Sequence, residues 1–215
     1  MNKLLSGIQR FQRRVFPLRR REFEKLADGQ SPLTLFITCS DSRIVPHLLT
    51  QTDPGELFVL RNAGNLVPAH SSSLQSGEAA TIEYAVQVLN VESIVVCGHS
   101  HCGAMGGLLN PDSLKELPAV REWLSHAEET REAFERSGEM FSSNEERIAA
   151  AAKANVLVQL AHLRTYPAVA QAESRGDLTL HGWFYRFEAG EIFEFDSTSE
   201  EFVALGGQTA REQIA

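Results

Sequence analysis

The 215-residue sequence predicts an α/β fold: a mostly parallel central sheet with flanking helices, an N-terminal helical arm and a C-terminal strand pair. Three observations carry that reading. Short, nearly continuous apolar runs at 33–38, 57–60 and 93–97 have the pattern of strands buried on both faces, where alternation with polar residues is lost. Ala79, Ile82, Val86 and Leu89 recur at helical spacing between the second and third runs, so right-handed crossovers should join parallel strands. Residues 178–187 and 191–195 flank Ala189 and Gly190 and read as strand, tight turn and partner strand.

The elements follow in order. Residues 1–25 hold eight Lys/Arg against two Glu, whereas the whole chain carries a formal charge of -8. Leu4, Leu5, Ile8, Phe11 and Val15 share one side of a helix there, so residues 1–28 are expected to be a basic helical arm and 29–215 the core of one domain. After the third strand, residues 112–143 are polar and helix-rich, with Glu128, Glu129 and Arg131, and read as a surface excursion. Ile148, Ala152, Val156, Leu160 and Leu163 form an apolar stripe, Tyr166 and Pro167 close it, and a further helix runs to about 175.

Composition excludes several classes. Hydrophobic residues at 43% and charged residues at 22% are ordinary for a globular chain, which removes disorder, collagen and coiled coil. No apolar stretch reaches the roughly 18 residues of a spanning helix, and no secretory signal opens the chain, so a soluble, cytoplasmic protein is expected. Three cysteines are too few for a disulfide scaffold; a metal or a reactive thiol fits better.

The chemistry gathers at strand ends. Cys39-Ser40-Asp41-Ser42-Arg43 follows the first strand, and Gly98-His99-Ser100-His101-Cys102-Gly103 follows the third, so both emerge where parallel sheets place their ligands. Cys39, His99 and Cys102 offer two thiolates and an imidazole, a set that suits zinc and leaves a fourth tetrahedral position open. His101 competes with His99, but only His99 stands three residues before Cys102. Cys97 reads as a small buried hydrophobe, and His47, His70, His126, His162 and His181 have no comparable partners. Asp41 could fill the fourth position, or accept a hydrogen bond from a metal-bound hydroxide while Arg43 keeps it ionised.

These motifs, together with Arg61-Asn62-Ala63-Gly64-Asn65-Leu66-Val67, resemble those of the β-class carbonic anhydrases. The likeness runs from Phe11-Gln12-Arg13 to Leu180-His181-Gly182-Trp183 and is greatest to the plant-type branch. It implies reversible hydration of carbon dioxide to bicarbonate and a proton by zinc-bound hydroxide, with one zinc ion per protomer on Cys39, His99 and Cys102. It further implies that Asp41 orients the hydroxide, that Arg43 fixes Asp41, and that Gln30, Phe58, Ala63, Tyr84 and Gly103 bind substrate, with Phe58 and Tyr84 reaching the neighbouring subunit's pocket. Phe36 and Ile44-Val45-Pro46 stand where the switchable branch carries Trp and Val-Pro, which favours a site that Asp41 leaves open. The resemblance implies a homodimer or an assembly of dimers with the arm packed on the partner, and neither nucleic acid nor membrane as a partner. One competing reading is a related hydrolase acting on another small linear substrate such as carbon disulfide, against which the sequence has no decisive feature; the other is a zinc-holding module without turnover. Asp41 and Arg43 speak against it, because a purely structural site closes with a fourth Cys or His.

Overall fold

Four strands run parallel at the centre of the computed structural model, which describes residues 2–71 and 76–206. They are β1 (Thr34–Cys39), β2 (Leu57–Asn62), β3 (Ser93–His99) and β4 (Thr179–Arg186). β5 (Glu191–Asp196) and β6 (Glu201–Ala204) add on antiparallel, giving the order β2-β1-β3-β4-β5-β6. The expected C-terminal pair is therefore β4 and β5, and β6 extends it. Sequence reasoning missed β6 because four residues, only one of them half-buried, carry no usable period.

The continuous apolar runs are explained by burial on both faces. Leu35 and Ile37 of β1 join one core cluster with Ile94 and Val96 of β3, while Phe36 joins a second with Val95 and Cys97. Two strand boundaries moved in an informative direction. β1 continues through Cys39 and β3 through His99, so both residues are the last of their strands and not members of the turns that follow.

The helices are α1 (Asn2–Arg10), α2 (Phe16–Ala27), α3 (Pro46–Thr50), α4 (Gly77–Gln87), α5 (Gly103–Leu109), α6 (Pro118–Leu124), α7 (Glu128–Ser137), α8 (Asn144–Arg164) and α9 (Pro167–Arg175). Ser76 caps α4 by accepting from the Ala79 N–H, and Ser143 caps α8 through the Glu146 N–H, so both start where a hydroxyl satisfies an orphan donor. The polar stretch 112–143 is less superficial than expected: its own Leu114, Leu124, Ala127 and Thr130 are buried.

The arm is two helices joined by a π-helical turn, Phe11–Val15, and not one continuous helix. Phe11, Phe16 and Phe23 cluster across that join, with ring centroids 5.6–6.2 Å apart. Arg19 ties α2 to the core through an ion pair with Asp53, and Leu26 packs against Gly55, whose φ of +95° suits glycine. Helix α1 buries nothing within the chain, and Leu4 remains 68% exposed.

Helix α8 lies against β3 and β4 because both strands offer a glycine at the contact. A Cβ on Gly98 would stand 2.9 Å from Val156 Cγ2 and 3.1 Å from the Ala152 carbonyl oxygen, and one on Gly182 would meet Leu160 and Val156 at 2.9 Å. Substituting Gly98→Ala should therefore push helix and sheet apart and cost about 1–3 kcal/mol, the usual range for overpacking. Urea unfolding checks this: the midpoint should fall with an unchanged slope, and an unshifted midpoint would mean that the helix yields freely.

Candidate metal centre

β1 and β3 are parallel neighbours with Thr38 opposite Cys97, so Cys39 and His99 end at the same edge of the sheet. The chain then turns through Ser100 and His101, which takes a φ of +52°, and delivers Cys102 to the N-cap of α5. The three residues are buried, and a ligand atom from each lies within 4.8 Å of the others.

The imidazole is oriented for coordination. His99 Nδ1 stands 2.7 Å from the Ser100 carbonyl, which can only accept, so Nδ1 carries the proton. Nε2 then holds a lone pair, and it is buried with no hydrogen-bond partner. An orphaned imidazole nitrogen facing two sulfurs is the state in which a histidine binds metal.

The two sulfurs are joined by a hydrogen bond and differ in acidity. A hydrogen bond from Cys102 holds the Cys39 thiol below the usual thiol range, and the Gly64 N–H, 3.4 Å from Cys39 Sγ, acts in the same direction. The same bond and burial raise Cys102 well above the usual thiol range, while the Met105 and Ala104 backbone N–H groups at the start of α5 offset part of this. Two thiols and one imidazole in a tetrahedral-sized cluster fit a borderline-soft divalent ion. Cys97 takes no part: it is fully buried in the apolar cluster, which pushes its thiol up to about 12.

Beside the cluster, Arg43 grips Asp41 with two parallel bonds, Nε to Oδ1 at 2.9 Å and Nη2 to Oδ2 at 2.7 Å. The Arg43 backbone N–H also donates to Oδ1. The guanidinium hydrogen bonds hold the Asp41 carboxyl well below the usual carboxylate range. Arg43 is itself fixed by stacking over Phe187, 4.5 Å from the ring centroid, and by donating to the His101 carbonyl.

Arg61 has a task that its place in the motif does not reveal. It donates to the carbonyl oxygens of Cys39, Asp41 and Ile44 at 2.7–3.0 Å, and so pins the whole turn after β1. Also missed were Asn155, Gln159 and His162 of α8, which hold the 63–67 loop: Asn155 donates to Gly64 O, Gln159 accepts from Val67 N and His162 donates to Val67 O. A signal was available, since these polar residues interrupt the buried stripe of that helix.

Of the expected pocket residues, Ala63 and Gly103 stand next to the cluster, Ala63 held by Trp123 Nε1 at its carbonyl and Gly103 opening α5 after Cys102. Gln30, Phe58 and Tyr84 do not. Phe58 is level with Leu35, four residues or roughly 13 Å along the strand from Cys39. Tyr84 packs its ring on Phe58 at 6.0 Å, so both lie toward the opposite end of the sheet, and Gln30 precedes β1 in the chain. The remaining histidines stay outside the cluster: His101 faces Glu188 at 3.7 Å, His47 meets Thr52, His70 packs on Tyr166, His126 on Trp123, and His181 pairs with Glu194. Among the described residues, no helix is long and apolar enough to cross a membrane.

Comparison with known proteins converges on this centre. The carbonic anhydrase family profile matches residues 34–192, from the first residue of β1 into β5. The chain is 50% identical over 205 residues to a carbonic anhydrase of Pseudomonas aeruginosa, covering 95% of this chain and 92% of that one. It superposes on the solved β-carbonic anhydrase CcaA with a TM-score of 0.91 at 47% identity, covering 95% and 99% of the two chains. A tetrameric β-carbonic anhydrase from Sordaria macrospora matches with a TM-score of 0.73 at 33% identity, covering 90% and 92%. With likeness of this depth spanning the strands that deliver Cys39, His99 and Cys102, the chain belongs to the β-carbonic anhydrase family.

Proposed function

We propose that this chain catalyses the reversible hydration of carbon dioxide to bicarbonate and a proton, with one zinc ion per protomer held by Cys39, His99 and Cys102. The observation that carries the reading is the orphaned His99 Nε2 set between two cysteine sulfurs, in a chain of this family. When bound, the zinc is a Lewis acid that makes a water molecule nucleophilic near neutral pH.

The chain's own residues do the rest. Asp41 accepts a hydrogen bond from the attacking oxygen and turns a lone pair of that oxygen toward carbon dioxide. It can do so only while ionised and fixed, and Arg43 supplies both conditions. Both Asp41 oxygens are engaged by Arg43, which supports an open fourth position on the metal. Ala63 and Gly103 offer a small apolar floor for a linear substrate.

Gln30, Phe58 and Tyr84 complete the pocket of a second subunit. The place of Phe58 and Tyr84 toward the far end of the sheet and the 45% exposure of Tyr84 support that role. The unburied apolar side of α1 likewise supports a homodimer or an assembly of dimers in which the arm lies on the partner. The tetrameric fungal relative is consistent with such an assembly.

Cys102→Ser should leave the chain unable to hold zinc where the wild type holds one ion, with hydration lost in parallel. Metal analysis and a stopped-flow assay read both, and full zinc with full activity would remove Cys102 from the ligand set. Asp41→Asn should keep its zinc yet lose turnover about 100-fold or more, because the amide cannot be locked by Arg43 as an ionised acceptor. Equal rates for the variant and the wild type would end the orienting role. Deleting residues 1–25 should shift the sizing-column profile toward the monomer; an unchanged assembly would place the interface elsewhere.

A further inference from the structure

We propose that Asn155 is a positioning residue for the metal centre, holding Gly64 so that its backbone N–H donates to Cys39 Sγ. The inference rests on reading Cys39 as a metal ligand. Asn155 touches none of the three ligands; it is buried on α8 and acts through one loop.

The direction of every bond in this network is fixed by groups that cannot change role. The Val67 N–H can only donate, so the Gln159 atom 2.7 Å away is Oε1 and its Nε2 faces Asn155. The Asn155 atom receiving that Nε2 at 2.9 Å is therefore Oδ1, which also accepts from Thr130 Oγ1 at 3.0 Å. That leaves Nδ2 for the Gly64 carbonyl at 2.9 Å, an acceptor only. No apolar or acceptor-only side chain of equal size reproduces this arrangement.

Gly64 needs such a hold. It takes a φ of +84° and Asn65 follows at +49°, two successive left-handed residues in a loop of few regular bonds. A Cβ on Gly64 would stand 3.0 Å from the Ala104 Cβ, so the loop sits tightly on the turn that carries Cys102. With its carbonyl anchored to Asn155, Gly64 points its N–H at Cys39 Sγ from 3.4 Å. A hydrogen bond to a thiolate withdraws electron density from sulfur, so the metal receives less of it and stays the stronger Lewis acid.

The test uses the cobalt(II)-loaded enzyme, whose thiolate-to-metal charge-transfer band reports donation by sulfur. Asn155→Leu and Asn155→Ser should each bind cobalt, shift that band to longer wavelength and, as zinc enzymes, lose about tenfold or more in kcat. Thr130→Val removes one bond of the same buried network without touching Gly64, and its band should stay in place. In wild-type enzyme loaded with a spin-active cadmium isotope, the Gly64 amide proton should show scalar coupling to the metal through Cys39. Normal cobalt uptake with an unmoved band in the Asn155 variants, an equal shift in Thr130→Val, or no Gly64 coupling would overturn the proposal. So would failure of both Asn155 variants to fold, which would assign Asn155 to the scaffold alone. Failure of the wild type to take up cobalt would instead defeat the metal-ligand reading on which the proposal rests.

Discussion

The parallel pairing of β1 with β3 is the constraint from which the site follows. Neighbouring strands are about 4.8 Å apart, so two residues that end adjacent strands at one edge are already at chelating range before any loop is considered. The register sets Cys39 beside Gly98 and one residue short of His99, leaving the turn after β3 with a single task, to fold Cys102 back. Everything else around the metal centre tightens this arrangement. Arg61 ties the turn after β1, Ser100 orients His99, and α8 presses on the sheet at the glycine that precedes His99.

Backbone N–H groups approach both sulfurs, and Arg43 acts on them only through its field. The nearby cation, Arg43, is spent on Asp41 through matched planar bonds. The division is physically sensible. A guanidinium locked to a carboxylate cannot swing toward the thiolates and compete with a divalent ion, and the carboxylate cannot swing toward that ion and block it.

Much of this was legible in the sequence for stated reasons. Burial on both faces erases alternation, which made β1, β2 and β3 visible as apolar runs, and residues ending two such runs were bound to share an edge. The spacing of His99 and Cys102 separated the ligand from His101. What escaped depended on distance in the chain. Asn155 and Gln159 matter because they meet a loop some ninety residues earlier, a relation with no local period. Phe58 and Tyr84, given to a neighbouring subunit's pocket by resemblance, lie toward the start of the strands, away from the end that carries Cys39. The π-helical turn in the arm was hidden because Phe11 to Val15 fit a helical stripe on either side of the break.

His99 lies sixty residues after Cys39, and this has a consequence for how the protein folds. An unfolded chain offers a metal only the short His99–Cys102 chelate, while the three-ligand site exists once the first and third strands have paired. Metal therefore binds the native state in preference to the unfolded one and adds to its stability by mass action. An ion held there would clamp a loop that includes β2 and α4, so a chain deprived of it should open first between the two central strands, and chelation should lower the midpoint of unfolding.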